Sequence, residues 1–182
     1  MAKVFLNPGH CPGVDPGAVN DCYDVTEAEI VREVGDMVAD YLRAAGCEVK
    51  ILQSDNLAGE SPAYPNVCAN ANNWPADIFV SLHCNAASGQ ARGTECFVFS
   101  RWSKSDKLAE CIQAQLVHSL GTVDRGVKEG PRLSVLRNTS MPAVLVELAF
   151  IDNADDCQLL MNKKREFAAA VARGVTDYLQ EA

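Results

Sequence analysis

The stretch "VFLNPGHCPGVDPGA", residues 4–18, decides the fold. Residues 3–7 are apolar enough to read as a short buried strand. The run then breaks into Asn-Pro-Gly-His and a Gly/Pro/Asp/Asn-rich loop over 8–24. Immediately afterwards "TEAEIVREVGDMVADYLRAAG", 26–46, reads as an amphipathic helix. Thr26 can cap it, Glu29 stands at capping-box spacing, and Gly46 stops it. Ile30, Val34, Met37, Val38, Tyr41, Leu42 and Ala45 fall at helical intervals. Strand, stiff loop and helix in that order open an α/β unit.

The same alternation continues along the chain. Strands are expected over 47–53, 77–85, 94–100 and 142–151, with a further short one at "LSVLR". Helices are expected in "NVCANANNW", ended by Pro75, in "SKSDKLAECIQAQLVHSLG", and over 155–162 and 164–180. The order predicts an α/β fold: one domain, with a mixed, mostly parallel sheet of about six strands and helices on both faces. In such folds the active site lies beyond the carboxyl ends of the strands.

Bulk properties exclude several functions. A chain of 182 residues, 48% hydrophobic and 22% charged, fits one soluble domain with a sizeable core. Its net charge of −8 argues against nucleic acid and against a polybasic membrane anchor. No run is long enough for a membrane span. "MAKVFLNPG" lacks the apolar stretch of a signal peptide, so the chain is expected to be made in the cytoplasm. It would reach an outside target by lysis or another export route. The eight cysteines contain no C-x-x-C pair, and most sit in apolar runs, so free thiols are expected. Cys11 and Cys22, flanking the glycine-rich loop, are the candidate exceptions.

Four polar residues fall in unusual places. His10 follows the first strand, and His83 ends the apolar run "IFVSL". Glu147 lies inside "AVLVELAF", and Glu27 in the first turn of the first helix. Each has a plain structural reading. A strand-end histidine can be a hydrogen-bonded rim residue, and Glu27 can complement the helix dipole. His118, near the end of a helix, reads as a surface residue. Glu147 is harder to dismiss, because burying an unpaired carboxylate costs several kcal/mol, of order 1–3 or more. It needs a cation, either a metal or a partner such as Arg137 or Arg125. Two histidines and a carboxylate make a tetrahedral zinc site with one open position, and a further carboxylate can serve as general base.

In order along the chain, "NPGHCPGVDPGA", the Glu-bearing helix, "ANNWPADIFVSLHCNA", "RGTECFVF" and "DRGVKEGPRLSVLRNTSMPAVLVELAFIDNADD" resemble the zinc-dependent N-acetylmuramoyl-L-alanine amidases of the amidase-3 type. The resemblance covers residues 3 to about 181. It implies one Zn²⁺ held by His10, Glu27 and His83, with Glu147 as the catalytic glutamate. Glu29 competes with Glu27 for the third ligand position, and the helix register counted back from Gly46 favours Glu27. It implies hydrolysis of the amide between N-acetylmuramic acid and the L-alanine of the peptidoglycan stem. Residues 1–182 would be the catalytic domain, acting as a monomer on the cell wall with no separate wall-binding module. Asn7 stands where the family usually has Asp; Asn7 or a backbone carbonyl is expected to orient the His10 ring. The rivals are another zinc peptidase on the same scaffold and a wall-binding module without turnover.

Overall fold

The computed structural model describes residues 1–181. The first strand, β1, spans Lys3–Pro8. The loop after it contains a small antiparallel pair, β2 (Val19–Asn20) and β3 (Val25–Thr26), within the stretch expected to be plain loop. Next come α1 (Glu27–Ala44), β4 (Glu48–Ile51), α2 (Val67–Asn73), β5 (Ile78–Asn85) and β6 (Thr94–Val98). The rest of the chain forms α3 (Lys104–Leu120), β7 (Asp124–Glu129), α4 (Ser134–Arg137), β8 (Ala143–Phe150), α5 (Ala154–Asn162) and α6 (Lys164–Glu181).

The main sheet has six strands in the order β4-β1-β5-β8-β6-β7. The first four run parallel, β6 is antiparallel to β8, and β7 is parallel to β6. One expected member was misplaced. "LSVLR" is the helical turn α4, not a strand. Val135 and Leu136 are consecutive and both buried, which suits one helical face rather than strand alternation. The Asn138 and Thr139 side chains close the turn on the Ser134 and Val135 carbonyls. The sixth strand is instead "DRGVKE" (β7), a partly exposed edge strand without an apolar run to announce it.

Strand alternation divides the core in two. Val4, Leu6, Ile78, Val80, Leu82, Val144, Val146 and Leu148 point to one face, where α1, α3 and α6 cover them. Phe5, Phe79, Ala143 and Leu145 point to the other, against α2 and α4. Phe5 and Phe79 stack there with ring centroids 5.8 Å apart. The two short helices cover only the half of that second face nearest the strands' N-terminal ends. Continuing along the same face, the side chains become Asn7 on β1, Ser81 and His83 on β5, Glu147 on β8 and Glu95 on β6. Their register places Asn7 beside Ser81, and His83 and Glu95 on either side of Glu147.

Candidate active site

The histidine loop is fixed by its own backbone. Gly9 N–H donates to the Leu82 carbonyl, and Cys11 N–H to that of Asp15, so the loop folds back across β5. A Cβ on Gly9 would lie 2.2 Å from the His83 ring, so only glycine lets this backbone pass. His10 itself sits at φ 59, a left-handed conformation uncommon outside glycine and often found at functional sites. At Gly17, φ 66, a side chain would meet Glu27 Oε2 and His10 Cδ2 at 2.6 Å. This glycine lets the returning chain close over both groups.

Glu27 occupies the start of α1. Thr26 caps the helix: its Oγ1 accepts from Glu29 N–H at 3.3 Å and donates to Glu29 Oε2 at 2.7 Å. The cap engages Glu29, leaving Glu27, two residues earlier, to turn inward. Glu27 is only 4% exposed. Its Oε2 lies 3.1 Å from His10 Nε2 and its Oε1 2.9 Å from His83 Nδ1. The Ala18 and Cys84 N–H groups each donate to it at 3.0 Å. Burial alone would raise its pKa, but the hydrogen bonds from His10 and His83 outweigh it and hold the carboxyl well below the usual range.

His10 lies between two carboxylates. Its Nδ1 is 2.7 Å from Asp15 Oδ2, and Asp15 Oδ1 accepts from Gly17 N–H at 3.0 Å. The Glu27 hydrogen bond raises the His10 pKa to about 9, against the opposing effect of burial. The expectation for Asn7 is corrected here. Asn7 Oδ1 accepts from Ser81 Oγ, and its amide donates to the Leu52 and Pro8 carbonyls. Asn7 therefore ties strands together, while Asp15 orients the ring. Sequence reasoning missed this role, although Asp15 stands five residues after His10 inside the opening motif.

His10, Glu27 and His83 each offer a donor atom, and the three atoms lie within 4.8 Å of one another. Two imidazole nitrogens and one carboxylate oxygen are a donor set suited to zinc. Asp15 and Glu27 flank the His10 ring with negative charge, so the surroundings favour a cation at this point. A metal ion fits these residues.

Glu147 is cross-strand neighbour to His83. Among the described residues its Oε2 is shielded from solvent and has no hydrogen-bond partner. Burial pushes its pKa up to about 7. Neither expected arginine partner serves it. Arg125 Nε instead donates to Glu95 Oε2 at 2.7 Å, beside Lys128 Nζ, while Asn85 Nδ2 donates to Glu95 Oε1 at 2.7 Å. Glu95 is 4% exposed, and these donors keep it ionised against the effect of burial. Sequence reading quoted Glu95 within its motif without giving it a task. All eight cysteines are free thiols.

Residues 4–177 match the family model Amidase_3, described as N-acetylmuramoyl-L-alanine amidase. The chain belongs to this amidase family. Among its relatives, "Uncharacterized protein YqiI" of Bacillus subtilis is 36% identical, over 98% of this chain and 85% of that protein. "N-acetylmuramoyl-L-alanine amidase LytC", also of Bacillus subtilis, is 34% identical over 96% of this chain, which spans only 35% of LytC. The solved catalytic domain of CwlV, an N-acetylmuramoyl-L-alanine amidase of Bacillus (Paenibacillus) polymyxa var. colistinus, superposes with a TM-score of 0.85 at 27% identity, covering 99% of each chain. The amidase fold of this chain is thus the single six-stranded α/β unit described above. No helix among the described residues is long and apolar enough to cross a membrane.

Proposed function

We propose that this amidase uses one zinc ion to hydrolyse the bond between the lactyl group of N-acetylmuramic acid and the L-alanine of the peptidoglycan stem. The observation that carries the reading is the convergence of His10 Nε2, Glu27 and His83 Nδ1, with the unpartnered Glu147 on the adjacent strand. A bound zinc ion would supply Lewis-acid polarisation of the amide carbonyl and a lowered water pKa. Asp15 accepts from His10 Nδ1, which fixes the ring's tautomer and would leave Nε2 available to a bound ion. Glu27 would balance the ion's charge, its oxygens held in place by the Ala18 and Cys84 N–H groups.

Glu147 moves the proton. Its Oε2 accepts a proton from the attacking water and returns it to the alanine nitrogen as the amide bond breaks. A pKa near 7 suits a carboxylate that must both take and release a proton at neutral pH. A positive ion nearby would lower that value and favour the ionised base. The donor set and the free carboxylate are complete within residues 1–182, so the reading needs no second subunit and takes this stretch as the catalytic domain acting on the cell wall.

Wall digestion tests the reading. Purified peptidoglycan treated with the protein should release intact stem peptides with new N-terminal alanine. A chelator should abolish the release and added Zn²⁺ restore it. Cleavage within the peptide, or activity indifferent to chelation, would overturn the proposal.

A further inference from the structure

The side chain of Gln53 bridges the two elements that carry His10 and Glu27. Just past the end of β4, its Nε2 donates to the Gly9 carbonyl at 3.0 Å and to the Ala28 carbonyl at 2.9 Å. Both partners can only accept, so the orientation of the amide is forced. Its Oε1 is shielded from solvent and has no hydrogen-bond partner among the described residues. A shielded acceptor without a partner costs stability. The position therefore uses the amide for its two N–H groups and forfeits the oxygen. The loop that follows Gln53 has fastenings of its own. Ser54 Oγ donates to the Pro65 carbonyl at 2.6 Å, and Asn56 Nδ2 to the Tyr64 carbonyl at 2.9 Å. Neither Gln53 hydrogen bond goes to that loop.

The Gly9 carbonyl belongs to the peptide unit that ends at the His10 nitrogen. The Ala28 carbonyl lies one residue past Glu27, in the first turn of α1. His10 sits at φ 59, a conformation that persists only where the surrounding structure fixes the backbone. The Leu82 carbonyl holds Gly9 N–H, and the Asp15 carbonyl holds Cys11 N–H. Gln53 holds a third group, the Gly9 carbonyl. We propose that Gln53 is a positioning residue: one amide locks the peptide before His10 to the start of α1 and so sets the spacing of the His10 and Glu27 donor atoms. This rests on the reading of those two residues as zinc ligands. That spacing, from His10 Nε2 to Glu27 Oε2, is 3.1 Å. The position needs donors and no acceptor, which ranks its substitutes. Arginine supplies N–H groups, methionine supplies none, and an ionised glutamate sets an oxygen against two carbonyl oxygens.

Zinc affinity by competition with a chromogenic chelator, measured beside metal-free Tm, tests the assignment. Gln53→Met should weaken zinc binding roughly tenfold, with metal-free Tm close to the wild-type value. Gln53→Arg should bind zinc more tightly than Gln53→Glu, although charge alone predicts the reverse order. With peptidoglycan as substrate, Gln53→Met should lower kcat and leave KM little changed, because the loop beside the cavity keeps its own hydrogen bonds. Wild-type zinc affinity in Gln53→Met overturns the proposal, as does a lowered Tm with affinity per folded molecule unchanged. Tighter binding by Gln53→Glu than by Gln53→Arg also overturns it, and that pair decides the matter should the methionine variant not fold. A wild-type protein that binds no zinc would overturn the metal reading instead. The His10 ring nitrogens in the metal-free protein, followed by NMR, would then still decide the role of Gln53: their signals should shift in Gln53→Met as the bond to Glu27 loosens, and unchanged signals overturn the proposal.

Discussion

One face of the sheet carries two regions built from the same strands. Nearer the strands' N-terminal ends it presents Phe5, Phe79, Ala143 and Leu145, sealed under α2 and α4. Nearer the other end it presents Asn7, His83, Glu147 and Glu95, with no helix laid over them. Side-chain alternation is identical in both regions. What differs is the cover. Apolar side chains gain from being closed off, whereas ionisable groups tolerate burial only with partners. Glu27 and Glu95 have partners within the chain, whereas Glu147 Oε2 has none among the described residues. Position along a strand, more than side of the sheet, separates core from chemistry.

The sharpest way to break the comparison is to disable each region separately. Glu147→Gln should lower kcat roughly 10²–10⁴-fold while leaving the thermal transition unchanged or higher, since it removes an unpaired shielded charge. Activity and calorimetry on one preparation check both halves; a collapsed Tm would mean that the carboxylate is structural. Phe79→Ala should do the reverse. It opens a cavity beneath Phe5 and should cost about 3–5 kcal/mol in denaturant unfolding, with kcat per folded molecule little changed.

Asp15→Asn probes the support of the polar region. Zinc affinity should fall roughly 10–100-fold by competition with a chromogenic chelator, with unfolding in the metal-free state much less affected. The pH response has a definite sign. His10 has its pKa raised to about 9, so its contribution to metal-free stability is full below 6.5 and is lost as pH rises through 9. Glu27, whose pKa is depressed, adds stability that persists above its unfolded pKa and is lost only in strong acid. Metal-free Tm should therefore decline between pH 6.5 and 9, while zinc affinity should rise over the same interval as His10 releases its proton. A metal-free Tm that climbs through that window contradicts the assigned geometry. The smallest effect is expected of Thr26→Ala, about 1 kcal/mol from the lost cap with zinc affinity unchanged.

Most of this organisation was legible in the sequence, for reasons that differ by region. The buried strands announced themselves because β1, β5 and β8 are covered on both faces and read as apolar runs. His10, His83 and Glu147 stood out as polar residues interrupting or ending those runs. The Thr26–Glu29 capping spacing fixed the helix start, and the register counted back from Gly46 favoured Glu27 over Glu29. What escaped was held by contacts remote in sequence or weak in pattern. β7 is half exposed and carries Arg125 and Lys128, so it lacks an apolar signature. α4 is a single turn, too short for a helical period to show, and its Val135–Leu136 pair is told from a strand only once both side chains are seen buried. Asp15 was hidden in plain view, because loop aspartates usually serve turns, and only the folded loop shows its oxygen on the His10 ring. Glu95 gains meaning only across the sheet, from Arg125 and Lys128 on a strand about thirty residues further along the chain.

The close approach at Gly9 ties together two positions that are 74 residues apart in numbering. The imidazole at 83 occupies the space where any side chain at 9 would begin, so neither site can vary alone. In a library randomised at both, survivors that keep the ring should carry glycine at position 9 without exception. Larger residues should return there only in clones that have given up the imidazole.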